Sequence, residues 1–287
     1  MGQKANPTSL RIGNKKNWKT EFSEKTGKDL GKVFNNESQV LKFVKRVLNQ
    51  NGFILQDFRI QHCNNTLYLF LSLHSIEIYK NRLKQTYIIE KKNSSLSEQK
   101  VLINQDKKNL KPLTRAISNC LRVFSNKKVV VSFSLSNKQI NLNNSEKTKL
   151  KKKVLSLRKF MNRQPHYFFD TLNISNSLSK NINFAESLLE IITTVVKKTK
   201  LVKPFLRFLK KSLTLLLDNP TCTTKGVKIK ISGKINGARR AKSLRFVVGD
   251  VACHSQNKNI EYLSRTTQNE NGSYGLKLWV VSDNKVN

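Results

Sequence analysis

Residues 225–281 read KGVKIKISGKINGARRAKSLRFVVGDVACHSQNKNIEYLSRTTQNENGSYGLKLWVV, and this stretch decides the fold of the second half of the chain. It holds six of the chain's 11 glycines, whereas residues 53–225 hold none. Glycine adopts positive φ without steric cost, so these glycines predict tight turns. Apolar residues and lysines alternate at its start: Val227, Lys228, Ile229, Lys230 and Ile231. That alternation predicts a strand with one apolar face and one row of ammonium groups.

A basic turn follows this strand. The strand ends at Gly233, and Asn236-Gly237 supplies a turn before an apolar run at residues 246–248 re-enters the sheet. The residues between turn and strand include Arg239, Arg240, Lys242 and Arg245. Cations are therefore concentrated where two neighbouring strands meet.

Small motifs follow one another in a specific order along this stretch. They are Ser232-Gly233-Lys234, Asn236-Gly237-Ala238, Ala241-Lys242, Gly249, His254, Ile260-Glu261-Tyr262, Tyr274-Gly275 and Lys277-Leu278-Trp279. This order resembles the C-terminal domain of the ribosomal small-subunit protein S3 family. The N-terminal residues Met1–Pro7 and Leu10–Gly13 are similar to the tail that opens bacterial-type members of that family.

Net charge points to a polyanionic partner independently of this resemblance. The chain has 54 Lys and Arg against 18 Asp and Glu, a formal charge of +36. Such a chain repels itself unless a polyanion neutralises it. No run of 18 apolar residues exists and the cations are spread over the whole length, so we expect nucleic acid and no membrane. With 38% apolar residues over 287 positions, the chain can build a core in about two domains.

Residue types that carry catalysis or metals are not clustered. Cys63, Cys120, Cys222 and Cys253 occur singly, so neither a disulfide framework nor an ordinary zinc ribbon is encoded. The 18 acids are scattered, which disfavours a metal-dependent nuclease. We therefore expect no enzyme activity, catalytic residue, metal, cofactor or small-molecule substrate. His254 is interpreted as a structural, hydrogen-bonding histidine.

The first 140 residues predict a basic tail, residues 1–35, and a domain, residues 36–140. The predicted elements are a helix capped by Asn36 and stopped by Asn51-Gly52, strands Phe53–Ile60 and Thr66–Ile76, a helix Leu113–Phe124 and a strand Val129–Leu135. Thr66–Ile76 is apolar on both faces, which predicts a central strand. This order is that of the type II KH domain of the family. Because its phosphate-clamping GxxG loop needs glycine, we expect a degenerate, KH-like scaffold with no such clamp in residues 74–112.

Residues 141–181 are rich in Asn, Ser and Lys and are interpreted as an insertion or linker. Two interpretations of its mixed cations and aromatics stay open: packing against a domain, or stacking with single-stranded RNA. These residues are Arg158, Arg163, His166, Tyr167 and Phe168.

Residues 182–287 predict a C-terminal domain of two helices packed on an antiparallel sheet, so the whole chain is assigned to the α+β class. The first helix begins near Asn183, and the second, opened by Pro204, has a basic face of Arg207, Lys210 and Lys211. An ordinary solvated helix face is the alternative. The resemblance implies that this face meets mRNA, although Leu206 stands where the family has its first arginine.

The resemblance implies a structural constituent of the small ribosomal subunit, in its head beside the mRNA entry path. The implied partners are small-subunit rRNA, mRNA and neighbouring head proteins. The residues expected to bind rRNA are Lys4, Arg11, Lys234, Arg239, Arg240, Lys242, Arg245 and Lys277. Rival hypotheses are an organellar nucleic-acid-processing or maturase-like RNA-binding protein and a DNA-binding regulator.

Location is predicted from composition. Lys, Asn, Ile and Phe are abundant, as AT-rich codons specify, and we expect no presequence before the N-terminal motif. We expect translation and function in the mitochondrial matrix, with a plastid or a bacterial cytoplasm as alternatives.

Overall fold

A computed structural model describes residues 5–13, 17–23, 27, 29–63, 65–75, 98–135, 184–217 and 224–282 of the chain. The chain divides into two compact units. One comprises Trp18–Lys138, and the other comprises Met1–Asn17 together with Gln139–Asn287. The predicted insertion, residues 141–181, lies outside the described residues.

The described residues form four α-helices and eight strands. The helices are α1 (Asp29–Gln50), α2 (Glu98–Ser125), α3 (Phe184–Lys198) and α4 (Val202–Leu217). The strands are β1 (Thr20–Glu21), β2 (Phe53–Cys63), β3 (Thr66–Ser75), β4 (Lys128–Leu135), β5 (Thr224–Gly233), β6 (Lys242–Gly249), β7 (Asn259–Asn269) and β8 (Gly272–Ser282). Short 3-10 turns occur at Ser9–Arg11 and Ile235–Gly237.

The unit Trp18–Lys138 is a four-stranded mixed sheet with α1 and α2 against it. Its strand order is β1-β2-β3-β4, with β2 antiparallel to β3 and the other two pairs parallel. The core combines one stripe of each helix with alternate strand residues. Its fully buried members include Val44, Leu48, Ile60, Leu69, Leu71, Leu73, Ile117 and Leu121.

Helix α1 corrects the predicted helix start. It begins at Asp29, so Asn36 lies inside the helix instead of capping it. The physical reason is exposure: Leu30 and Phe34 face solvent at 58% and 73%, and burial of the stripe begins only at Val40. Apolar periodicity therefore revealed the packed turns and missed the exposed ones. Asp29 suits the new start because a carboxylate is favoured near a helix N-terminus.

Strand β3 is central, as predicted, because it pairs with both β2 and β4. Only one of its faces is buried, however. Phe70 is 44% exposed on the face turned away from the core, so the apolar residues on both faces do not mean burial on both. Helix α2 is also longer than the predicted Leu113–Phe124, since it begins at Glu98 and includes Pro112. We predicted that residues 74–112 contain no phosphate-clamping loop. Residues 76–97 lie outside the described residues, so this stays a prediction.

The C-terminal unit confirms two helices packed on an antiparallel sheet. The strand order is β6-β5-β8-β7, all antiparallel, with α3 against β7 and β8 and α4 against β5 and β6. Apolar residues of β5 point to the helices, since Val227, Ile229 and Ile231 are at most 2% exposed. The alternate residues of each strand point away from the helices and form the open face of the sheet.

We call the connection from Gly233 to Lys242, between β5 and β6, the basic turn. A tertiary cap joins the N-terminus of helix α4 to this turn. Its first N–H groups, on Val202 and Lys203, donate to the Asn236 side-chain Oδ1 at 2.9 and 3.2 Å. Asn236 adopts φ 57°, a left-handed conformation that asparagine tolerates better than most residues. Pro204 follows within the first turn, where its missing N–H costs nothing. No described helix has the length and hydropathy needed to cross a membrane.

Candidate nucleic-acid interface

Three cations meet in one row on the open face of the C-terminal sheet. Lys230 on β5 is the register partner of Arg245 on β6 and of Lys277 on β8. All three residues are exposed. Directly opposite residues on paired strands have Cβ atoms about 4.5–5.5 Å apart. We call Arg245, Lys230 and Lys277 the cationic row.

This row is electrostatically unfavourable in isolation. Like charges directly opposite on a sheet destabilise it, and no described residue forms an ion pair with any of the three cations. The helix side of the same sheet is built differently: Arg265 pairs with Glu186, at 2.6 Å, and with Glu190. Cations are thus neutralised where the protein packs on itself and left available where it does not.

An aromatic pair lies one row away on the same face. Trp279 is the register partner of Lys228 and of Tyr262. The Lys228 ammonium stands 4.6 Å from the Trp279 ring centroid, a cation–π contact, and the Tyr262 ring centroid is 5.2 Å from that of Trp279. Lys228 is only 8% exposed, so it supports the aromatic pair and is not one of the presented cations.

Two glycines shape the basic turn. Gly233 has φ 153°, and a Cβ there would lie 2.8 Å from the Tyr274 ring. That ring is buried, and its hydroxyl donates to the Lys234 carbonyl at 2.6 Å. Gly275 likewise leaves room for the Ser232 hydroxyl, which donates to the Gly275 carbonyl at 3.2 Å. The Ser-Gly-Lys and Tyr-Gly motifs therefore face one another and hold the turn in place.

Most of the predicted rRNA residues are exposed in and beside this turn. They are Lys234, Arg239, Arg240, Lys242, Arg245 and Lys277. The positions of Arg245 and Lys277 in the sequence did not show that these two residues lie on either side of a third cation, Lys230. Lys230 was absent from the predicted site, although the alternation of β5 already placed it on the right face. Lys4 lies outside the described residues.

Arg11 is corrected by the structure. It was expected to bind rRNA, but it is 2% exposed. Its guanidinium donates to four backbone carbonyls: Pro7 at 2.9 Å, Cys253 at 3.3 Å, Ser255 at 2.5 Å and Lys258 at 3.0 Å. Arginine suits this position because its N–H donors form a rigid fork. Arg11 therefore fastens the N-terminal turn to the 253–258 loop, and its guanidinium is not presented to a phosphate.

The predicted basic face of α4 is exposed. Arg207, Lys210 and Lys211 point to solvent, whereas Phe205, Leu209 and Leu213 are buried on the other side. Leu206 is also buried, at 5% exposure. The position of the family's first arginine thus belongs to the core of this chain, and two positions of the implied three-cation motif remain cationic.

His254 differs from its predicted structural role. Its side chain is exposed, and no described residue hydrogen-bonds to it. Across the described residues, no group of three or more His, Cys, Asp or Glu side chains is placed to hold a metal ion. Cys63, Cys120 and Cys253 are free thiols. The chemistry concentrated on the C-terminal unit is cationic and aromatic.

Comparison with known proteins agrees with this geometry. Residues 203–280, which contain α4 and the antiparallel sheet, match the family model described as "Ribosomal protein S3, C-terminal domain". A small ribosomal subunit protein uS3 of Phytoplasma mali is 24% identical over 98% of this chain and 84% of its own length. The uS3c protein of Euglena longa is 26% identical over 98% of this chain and 99% of its own length.

A shorter similarity, with a higher percentage of identical residues, supports the same assignment. The uS3 protein of Fusobacterium nucleatum is 39% identical over 56 residues, which is 20% of this chain and 26% of that protein. The motif order, the antiparallel sheet with two helices and similarities that span nearly the whole chain agree with one another. Residues 203–280 therefore belong to the family of ribosomal protein S3 C-terminal domains, and the chain is similar over nearly its whole length to uS3 proteins.

Proposed function

We propose that this chain is a structural protein of the small ribosomal subunit that binds rRNA through the open face of its C-terminal sheet. The cationic row is the observation that carries the proposal. Three cations opposite one another, with no ion-pair partner among the described residues, raise the energy of the free protein. Phosphates relieve that repulsion and release counterions on binding. The basic turn beside the row extends the same surface with further exposed cations.

The geometry of the face suits folded RNA. A rigid sheet presents fixed charges at strand spacing, which matches recognition of RNA by shape and phosphate position. Related proteins from a phytoplasma and from Euglena longa are named as small ribosomal subunit proteins, which supports this partner. We further infer that the rRNA is that of the subunit head, that head proteins are neighbours and that the α4 face meets mRNA. The protein acts by binding and not by catalysis.

The compartment is also part of the proposal. Relatives include bacterial uS3 proteins and a uS3c protein of Euglena longa. The AT-rich codon usage implied by abundant Lys, Asn, Ile and Phe favours an organelle, and we propose the mitochondrial matrix. A plastid ribosome and a bacterial cytoplasm are the alternatives.

Sedimentation of the native protein tests this function. We expect the chain to comigrate with small subunits through a gradient, to persist there at moderate salt and to leave with the rRNA after nuclease treatment. Organelle fractionation in the same experiment reports the compartment. A free pool with no subunit-bound fraction would contradict the ribosomal role. Comigration with introns or precursor RNA would support the maturase-like alternative.

A further inference from the structure

A second cationic surface lies in the other unit, at the connection from α2 to β4. An open groove of about 740 Å³ is lined there by Arg122, Val123, Asn126, Lys127 and Lys128. We call it the α2–β4 groove. Two of its residues come from the last turn of the helix, and the other three form the turn and the first residue of the strand.

The backbone holds this groove in a defined shape. The Asn126 N–H donates to the Arg122 carbonyl at 3.0 Å, and Asn126 has φ 51°, which ends the helix. The Lys128 N–H donates to the Asn65 carbonyl at 3.0 Å, so the following residue is already fastened to the sheet. The connection is therefore only two residues long and fixed at both ends. Its cations start from ordered positions, which lowers the entropy lost on binding.

The three groove cations have no ion-pair partner among the described residues. No ion pair or hydrogen bond joins the side chain of Arg122, Lys127 or Lys128 to a described residue, and none of the described residues that line the groove carries a carboxylate. Lys19 of the same unit, by contrast, forms an ion pair with Asp57 at 2.7 Å. A helix C-terminus carries only about half a negative charge, so the α2 dipole compensates part of one cation. The groove is left with a net positive field suited to a phosphate.

Exposed apolar and aromatic groups flank the groove. Val123 and Phe124 are 80% and 49% exposed at the end of α2. On the open face of the sheet, Val130 follows Lys128 at the alternate position, and Phe70 is 44% exposed on the neighbouring strand. Phe70 lies four residues along the register from the partner of Lys128, roughly 13 Å at strand rise. Cations next to exposed aromatic rings are the arrangement that single-stranded nucleic acids bind.

We propose that the α2–β4 groove is a second RNA-binding site of this chain. Arg122, Lys127 and Lys128 take backbone phosphates of a single-stranded segment, and Phe70 stacks with a base a few nucleotides away. The inference rests on the proposed function only in that the partner is RNA. It concerns the C-terminal end of α2, and it is therefore separate from a GxxG clamp and from the cationic row.

Direct binding to the full-length chain tests the proposal. The probe is a fluorescent 12-nucleotide single-stranded oligouridine, measured by anisotropy as a function of salt. The groove variant is Arg122→Gln with Lys127→Gln and Lys128→Gln. A matched control neutralises three exposed cations of α1, with Lys32→Gln, Lys42→Gln and Arg46→Gln. We expect at least a tenfold loss of affinity in the groove variant, a salt slope lower by about 2, and little change in the control.

A second variant separates stacking from charge. Phe70→Ala should weaken oligouridine binding by about fivefold or more, because base stacking on an aromatic ring contributes roughly 1–3 kcal/mol. Its salt slope should stay unchanged, since no charge is removed. If the triple variant fails to fold, the double variant Lys127→Gln with Lys128→Gln, which leaves the sequence of α2 unchanged, is used in place of the triple variant. Ultraviolet crosslinking of the wild-type chain should place the oligonucleotide on residues 122–130 and Phe70.

The outcomes distinguish this inference from the proposed function. A groove variant that binds oligouridine like wild type overturns the inference, while the proposed function survives if neutralising the cationic row weakens rRNA binding. A wild-type chain that binds no RNA overturns both. Unchanged oligouridine binding together with lost binding of a polyglutamate peptide would assign the groove to an acidic protein and overturn the RNA site.

Discussion

The two units use the same plan, a four-stranded sheet with helices on one face, yet their open faces differ. On the C-terminal sheet, the central row carries Arg245, Lys230 and Lys277. On the sheet of the other unit, the central positions carry Phe70 and Ser132 beside Arg59. One sheet presents charge across three neighbouring strands, and the other presents an aromatic ring beside the single cation Arg59, with further cations at one end. The architecture alone thus does not decide the charge of an open sheet face; the alternate residues of each strand do.

The two faces also differ in how much of the surrounding structure supports them. In the C-terminal unit, Tyr274 holds the basic turn, Asn236 joins that turn to α4, and Arg11 fastens the N-terminal turn to the 253–258 loop. The α2–β4 groove depends on a two-residue connection. Hydrogen bonds that fix a binding surface reduce the entropy it loses on binding. We therefore expect the C-terminal face to dominate the affinity of the chain for folded rRNA.

The largest expected effect concerns Arg11. Arg11→Ala should destabilise the C-terminal unit by about 3–5 kcal/mol, because one buried and three part-buried hydrogen bonds to carbonyls are lost and each carbonyl left without a donor costs up to about 1–3 kcal/mol. Urea unfolding followed by Trp279 fluorescence, in a Trp18→Phe background, measures this change. Arg240→Ala, which removes an exposed guanidinium, is the control and should change stability little. Weaker rRNA binding with unchanged stability would restore Arg11 as an RNA-contacting residue.

Charge reversal on the C-terminal face should have the next largest effect. Lys230→Glu, Arg245→Glu and Lys277→Glu together should weaken binding to a small-subunit rRNA head fragment by about 100-fold, since exposed hydrogen-bonded contacts contribute about 1 kcal/mol each. The slope of log affinity against log salt should fall by about 2–3.

The control for this prediction reverses Lys32, Lys42 and Arg46 on α1, which gives the same change in net charge. Equal weakening by both variants would show that overall charge, and not the geometry of the cationic row, binds the RNA. The different residues on the two open sheet faces would then not explain RNA binding.

A smaller effect is expected from α4. Arg207→Ala with Lys210→Ala should leave stability nearly unchanged, because both side chains are exposed. If this face meets mRNA, translation of structured messages should slow about two- to fivefold more than that of unstructured ones, and the difference should shrink as salt rises. Equal slowing of all messages, or failed subunit assembly, would identify these residues as rRNA contacts.

The smallest effect concerns an exposed ion pair of the same unit. The hydrogen bond and charge of Glu270 raise the pKa of Lys200, whose Nζ lies 2.8 Å from the carboxylate. A raised lysine pKa stabilises the fold below about pH 10.4 and loses that contribution as pH rises through the raised value. Both side chains are at least 67% exposed, so solvent screens the pair.

Glu270→Gln should therefore leave the urea midpoint unchanged between pH 6 and 9. Glu186→Gln with Glu190→Gln, which deprives the part-buried Arg265 of both partners, should lower it clearly. Similar shifts of the urea midpoint in both variants would show that the ion pairs of Arg265 on the helix side of the sheet stabilise the fold no more than the exposed pair of Lys200 and Glu270.

Sequence patterns predicted the elements that bury a regular apolar stripe. The stripes of α3 and α4 and the alternation of β5 gave the C-terminal fold, and the same reasoning placed β3 at the centre of the other sheet. It failed where a helix is exposed: Leu30 and Phe34 pack on no core, so the start of α1 carried no periodic signal. Predicted site residues on strands and turns were exposed, whereas Arg11 was buried.

The sequence by itself predicted a polyanionic partner and determined the antiparallel C-terminal sheet and its family resemblance, because charge, alternation and motif order are local properties of the chain. Only the tertiary structure decided which cations act together. Lys230, Arg245 and Lys277 are far apart in sequence and become neighbours through strand register. Arg11 is buried because its guanidinium donates hydrogen bonds to four carbonyls, three of them in residues 253–258. Hydrogen-bond partners of this kind are chosen by the packing of distant segments, which no local pattern encodes.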